Sequence, residues 1–182
     1  MTLLTACEDG QTDLVEFYLE KGVDINQKDQ NGKNALHLAS REGHKNIVGL
    51  LIERGIDLNQ KNAWGQNALH LASREGHREI VELLIEKGID INQKDNYGQN
   101  ALHLAYLYHP FHKDIALILI QKGIDINQID ENSERNILHR ASEYGHKEIV
   151  ELLLVKQFNY MNQVDSEGWN ALMLLHKKVT LK

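Results

Sequence analysis

One phrase governs what this chain can fold into. Asn34-Ala35-Leu36-His37-Leu38-Ala39 returns 33 residues later at Asn67 to Ala72, and 33 later again at Asn100 to Ala105. It decays into Asn136-Ile137-Leu138-His139 after a step of 36 and Asn170-Ala171-Leu172-Met173 after 34. One step backward, Leu3-Leu4-Thr5-Ala6-Cys7 reads as a degenerate first copy. Each copy at such a period is a small unit that buries its apolar face only against its neighbours, so a stack is expected, not a globule around one centre.

Residues 62–94 give the clearest copy. Gly65 permits the positive φ of a hairpin tip, and Asn67 stands where a helix begins, as one of the best caps for free first-turn amides. Leu69 and Ala72 share a helical face, and Gly76-His77 breaks the chain before a second helix. There Ile80, Val81, Leu84 and Ile85 form the buried stripe, while Arg78, Glu79, Glu82 and Glu86 stay outside. Gly88 ends it as a left-handed cap, as Gly22, Gly55 and Gly123 do in their copies. Gly49, inside the second helix of its copy, costs about 1 kcal/mol relative to Ala.

This pattern resembles the ankyrin-repeat family, with its Asp-x-x-Gly-x-Thr-Pro-Leu-His-x-Ala, a Gly-His between two helices, Val-x-x-Leu-Leu, and Gly-Ala-Asp-Val-Asn. The copies here read Asp95-Asn96-Tyr97-Gly98-Gln99-Asn100-Ala101-Leu102-His103 and Gly76-His77 through Leu84-Ile85-Glu86-Lys87-Gly88-Ile89-Asp90-Ile91-Asn92. Asn-Ala systematically replaces Thr-Pro, and Ile or Val replaces the Ala of Gly-Ala-Asp. The resemblance implies one all-α domain over residues 1–182, a solenoid of stacked helix-turn-helix units joined by β-hairpin-like loops. Its units are 1–28 (an N-terminal cap), 29–61, 62–94, 95–129, 130–164 and 165–182 (a partial C-terminal cap). It also implies that the first-helix histidines bond backbone and neighbouring copy, and that partners bind hairpin tips and inner helices lining a concave groove. Asn26, Asn59, Asn92 and Asn127 occupy the family position that resembles an asparagine-hydroxylation target, Asn92 in the closest context.

Hydrophobic residues are 42% of the chain and charged ones 25%, as in a soluble domain. The formal net charge of -6 with no basic stripe argues against nucleic acid. The longest apolar run, Ile115 to Ile120, is far short of the roughly 20 residues of a membrane span. With one cysteine and no secretory pattern in residues 1–10, the expected home is intracellular and cytoplasmic, the nucleus remaining open.

Ten histidines invite a metal story until placed in register. His37, His70, His103 and His139 all lie on first helices, behind Asn34, Asn67, Asn100 and Asn136; His44, His77, His112 and His146 all open second helices. His109, in an insertion, has too few companions for zinc. Cys7 aligns with Ser40, Ser73 and Ser142 as a small packing residue, and no base or oxyanion donor recurs beside it. No metal, cofactor or enzymatic activity is expected.

The expected function is a non-enzymatic interaction module or scaffold for a protein or peptide. Its candidate contacts are Trp64, Tyr97, Tyr108 and Tyr144 with Arg41, Arg74, Gln66, Gln99 and Trp169, the aromatics being the usual anchors of interfaces. An alternative is the targeting domain of a larger enzyme, channel or host-directed effector. The segment 106–111, two residues longer than its counterparts, is either a specificity element or a hydrophobic plug. With no spare apolar face evident, a monomer is expected.

Overall fold

Asn before every inner helix after the first determines how the units are built. The computed structural model describes residues 1–107, 111–156 and 162–180. Among them run eleven α-helices: α1 (Leu3–Glu8), α2 (Thr12–Glu20), α3 (Ala35–Glu42), α4 (Lys45–Glu53), α5 (Ala68–Glu75), α6 (Arg78–Glu86), α7 (Ala101–Leu107), α8 (Lys113–Gln121), α9 (Ile137–Tyr144), α10 (Lys147–Val155) and α11 (Ala171–Thr180). Asn34, Asn67 and Asn136 cap α3, α5 and α9 through a reciprocal box in which the Asn Oδ1 accepts the N–H of the following His and that ring's Nδ1 accepts the Asn N–H. Asn thus performs the capping that Thr performs in the family pattern. Gly43, Gly76 and Gly145 end these helices in the left-handed region.

Inner helices α1, α3, α5, α7, α9 and α11 contact one another in sequence order, and outer helices α2, α4, α6 and α8 form a second row. The core repeats with the sequence. Leu36, Leu69, Leu102 and Leu138 from the inner row meet Leu51, Leu84, Leu119 and Leu153 from the outer row, all buried. Each such leucine contributes about 1.5–3 kcal/mol relative to exposure. Cys7 is buried in the same layer, and burial pushes its thiol up to about 12, so it packs as a small apolar residue.

A second ladder ties the units at the helix-helix turns. Nε2 of His44, His77 and His112 lies 3.0, 2.8 and 3.1 Å from the carbonyls of Glu8, Arg41 and Arg74 in the preceding unit. The rings press so closely on Gly10, Gly43 and Gly76 that a Cβ there would sit 2.5, 2.6 and 2.4 Å from the imidazole. The joint between the fourth and fifth units is built differently. Tyr106 takes the slot held by Cys7, Ser40, Ser73 and Ser142 in other units and is 2% exposed. Its ring lies 4.2 Å from that of Phe111, which stacks on His146 at 3.9 Å. Tyr106 and Phe111 are therefore a plug; Tyr108, His109 and Pro110 lie outside the described residues.

Each hairpin closes on one acidic or amide side chain. Oδ1 accepts two backbone N–H groups at Asp29 (Asn31, Lys33), Asn62 (Trp64, Gln66), Asp95 (Tyr97, Gln99) and Asp165 (Glu167, Trp169). Neighbouring tips bond in a line: Ala63 N–H to Asn31 O, Asn96 N–H to Trp64 O, and Glu131 N–H to Tyr97 O, at 2.9 to 3.0 Å. The longer fifth hairpin, which lacks the tip Gly, still closes from Asp130 N–H to Arg135 O at 2.9 Å. Glu134 there takes a φ of 53°, the left-handed geometry that glycines supply elsewhere.

Candidate functional site

The hairpin tips carry two aromatics that the fold does not bury. Trp64 is 39% exposed and Tyr97 46%, at the same register of consecutive tips. Lys33 Nζ lies 5.5 Å from the Trp64 ring centre and covers part of it. Tyr144 is half-buried at the end of α9, its ring 5.9 Å from that of His146. Arg41, at the end of α3, bonds Glu8 of the preceding unit at 2.7 Å, and Arg74 at the same place in α5 bonds Glu75 at 2.8 Å. Trp169 is half-buried under Lys177, whose Nζ is 4.8 Å from the ring centre.

Gln66 and Gln99 require a different account from the sequence expectation. They are 8% and 7% exposed, and each amide reaches forward into the next hairpin: Gln66 Nε2 to Asp95 Oδ2 at 3.4 Å and Gln99 Nε2 to Asp130 Oδ2 at 2.9 Å. Arg135 repeats the link one unit on, with Nε 2.7 Å from Asp165 Oδ2 and a second contact to Glu143. The link is missing one unit back, where Lys33 and Asn62 hold the corresponding positions: Lys33 Nζ lies over Trp64, and the buried Nδ2 of Asn62 has no partner.

Arg140, which sequence reasoning passed over, fills the slot of Leu38, Leu71 and Leu104 and is 8% exposed. Its guanidinium bonds Asp130 Oδ2 at 2.8 Å, while its Nε finds no partner. Bonds from Asn132, Gln99, Ser133 and the Arg140 charge outweigh burial and hold the Asp130 carboxyl below the usual range.

The inner-helix histidines are buried and bonded within the fold. Nδ1 of His37, His70, His103 and His139 lies 2.6, 2.6, 2.8 and 2.7 Å from Oδ1 of Asn34, Asn67, Asn100 and Asn136. Nε2 of His37 and His70 meets the carbonyls of Gln66 and Gln99 in the next unit, at 3.0 and 3.2 Å. His139 instead meets Gln163 of its own unit at 2.9 Å, and no acceptor lies in bonding geometry at His103 Nε2. A neutral ring has one proton for two facing acceptors. Only the imidazolium would serve both, but burial opposes that charge and wins, pushing His37, His70 and His103 down to about 4. With the proton on Nε2, the Nδ1 to Oδ1 approach brings two acceptors together. A Thr hydroxyl could donate there; the Asn oxygen cannot.

Asn92 is exposed, and its Oδ1 accepts the N–H of Asp125 in the next arm at 2.7 Å. Among the described residues no group of three His, Cys, Asp or Glu side chains is placed to hold a metal ion. Nor is any described helix long and apolar enough to cross a membrane.

The family model for ankyrin repeats in three copies matches residues 3–95 and 60–130, and that for a single ankyrin repeat matches 133–166. No curated protein matches the chain. Repeating Asn-His caps, Gly-His joints and bonded hairpins agree with those matches, and the chain belongs to the ankyrin-repeat family, whose repeats are generally protein-protein interaction modules.

Proposed function

We propose that this protein is a non-enzymatic binding module whose contact surface runs along the hairpin tips and the ends of the inner helices, centred on Trp64 and Tyr97 and extending to Arg74 and Tyr144 at the ends of α5 and α9. The exposure of two large aromatics at consecutive tips carries the reading. Backbone bonds on both sides of each tip hold them in place, from Asn96 N–H to Trp64 O and from Glu131 N–H to Tyr97 O. A surface fixed before contact loses little conformational freedom on association. Gln66 and Gln99 support the hairpins from beneath and do not touch the partner. Arg41 and Trp169 mark the edges of the surface.

The test is affinity capture with mass spectrometry, followed by titration of the recovered protein or peptide against Trp64→Ala and Tyr97→Ala. Each substitution weakens binding by about 2–4 kcal/mol if the residue is an anchor, with little change in melting temperature. Unchanged affinity for both variants refutes the assignment.

A further inference from the structure

Trp64 and Tyr97 sit at the middle of a hairpin edge whose charge changes along its length. Taking each hairpin with the residue before it, residues 28–33 hold Lys28 and Lys33 against Asp29, residues 61–66 hold Lys61 alone, and residues 94–99 balance Lys94 with Asp95. Residues 129–135 then hold Asp130, Glu131 and Glu134 against Arg135, and residues 164–169 hold Asp165 and Glu167 with no cation. The lysine that opens the first three hairpins has become Ile129 and Val164 in the other two. Net charge therefore passes from +1 in each of the first two hairpins, through zero at the third, to -2 in each of the last two.

Nearby charges leave this slope in place. Arg41 pairs with Glu8 and Glu42, and Arg74 with Glu75, at the ends of the inner helices. Arg140 is taken by Asp130, and Arg135 by Asp165, Glu143 and Glu167. The arm aspartates Asp57, Asp90 and Asp125 and the outer-helix cations Arg54, Lys87 and Lys122 recur once per unit, so they add the same charge at each step. Lys177 over Trp169 offsets part of the last hairpin, which leaves exposed Glu131 and Glu134 as the focus of negative charge. Glu131 donates its N–H to Tyr97 O at 3.0 Å, and its side chain lies so close over Gly98 that a Cβ there would meet Cγ at 2.7 Å and Oε1 at 3.1 Å. Its carboxylate thus stands against the tip that carries the Tyr97 ring, whereas at Trp64 the neighbouring charge is the Lys33 ammonium, 5.5 Å from the ring centre.

We infer that the partner at this edge is an extended, basic segment of another protein, with apolar side chains on Trp64 and Tyr97 and a lysine or arginine seated against the Tyr97 ring and the Glu131 carboxylate, Glu134 adding to the field. This rests on the binding-module reading and adds the partner's chemistry and the direction in which it lies. A cation there is attracted twice, by the ring and by the carboxylate, while an acidic segment or a phosphate backbone meets repulsion. Lys33 and Lys61 repel a cation at the other end, so the slope of charge sets which end of the segment lies on which tip. Packed helices are spaced by about 8–10 Å, and an extended chain advances about 3.3 Å per residue, so each unit takes about three residues. The segment therefore reads as two apolar residues about three apart, with the cation about three further on.

Panning the intact chain against displayed random peptides of about 12 residues, long enough to span three tips, tests this. The recovered peptides carry the apolar pair and the cation at that spacing. A synthetic representative loses about 3- to 10-fold in affinity when Glu131→Gln and Glu134→Gln are combined, and about 30-fold on Trp64→Ala or Tyr97→Ala. Raising salt from about 50 to about 500 mM weakens it several-fold in the native chain and less in the double variant. Glu86→Gln, on the outer face, changes nothing, and circular dichroism checks that each variant is folded. Neutral or acidic peptides that lose binding on Tyr97→Ala but not on the carboxylate pair overturn this inference while the binding-module reading stands. Basic peptides indifferent to all four substitutions bind elsewhere, and overturn it together with that reading. A library that yields no binder also overturns it, and leaves the edge to a folded partner.

Discussion

Lowering the pH to about 5 should remove a large part of this protein's stability before its carboxylates titrate. His37, His70 and His103 are each 1% exposed, and their folded-state values are about 4 against an ordinary 6.5. The unfolded chain takes up these protons as pH falls through about 6.5, whereas the folded chain resists until about 4. Their stabilisation is therefore complete above the unfolded value and is lost progressively between the two. A full shift of about 2.5 units corresponds to about 3 kcal/mol per ring, of which about 2 kcal/mol is gone at pH 5. Three rings lose on the order of 6 kcal/mol together, comparable with the 5–15 kcal/mol that holds a typical domain folded. Burial also lowers His139, so it acts in the same direction. Asp130 and Asp165, held below the ordinary carboxylate range, withdraw their share only as pH falls below about 4.

Urea unfolding at pH 7.5 and 5.0, followed by circular dichroism, measures the loss. Proton NMR of the ring Cε1–H groups identifies which histidines resist protonation. In His70→Gln the absolute stability falls, and the difference between the two pH values shrinks by about a third, a change that lost packing alone does not produce. A midpoint that does not move between pH 7.5 and 5.0 refutes the argument. So do inner-helix imidazoles that titrate near 6.5 in the folded chain.

Four substitutions probe the remaining architecture by thermal or urea unfolding. Gly49→Ala stabilises by about 1 kcal/mol, because a Cβ there meets nothing within 4 Å and the helix gains propensity; a loss would expose an unseen constraint. Asn62→Asp supplies the missing partner for Lys33 and removes the orphaned Nδ2, gaining about 1 kcal/mol, and a neutral result would mean Lys33 stays on Trp64. Asn67→Thr gives His70 Nδ1 a hydroxyl donor and raises stability by about 1 kcal/mol, unless losing the 3.4 Å bond to Gln93 outweighs it, which a fall in midpoint would reveal. Gly76→Ala costs about 2 kcal/mol through its φ of 86° and the collision with His112; tolerance would show that the imidazole moves freely.

The stack, its caps and its core were legible because each copy repeats the same chemical instruction: Asn before the inner helix, Gly-His between the helices, Leu at fixed offsets. What eluded sequence reading was direction. Gln66 near a hairpin tip looks the same in sequence whether it faces solvent or crosses to Asp95, and only its three-dimensional neighbour decides. A signal was present nonetheless. Gln66, Gln99 and Arg135 each precede by 29 to 31 residues the carboxylate they bind. Arg140 could have been found the same way, as a charge in a slot otherwise filled by leucine. The 106–111 insertion was legible as an irregularity, but the packing of its two ends depends on Tyr106 turning inward to Phe111 and His146.

The aromatic joint between the fourth and fifth units carries a consequence for how the molecule comes apart. Elsewhere along the first four units a ring on glycine and an imidazole-carbonyl bond couple each layer to the one before. Behind that seam the coupling is of another kind, and His103 offers no bond across it. In a one-dimensional array, melting follows the weakest interface between neighbours, and α7 and α9 touch least along the inner row, so heat or force unzips α9, α10 and α11 together while α1 to α7 still hold.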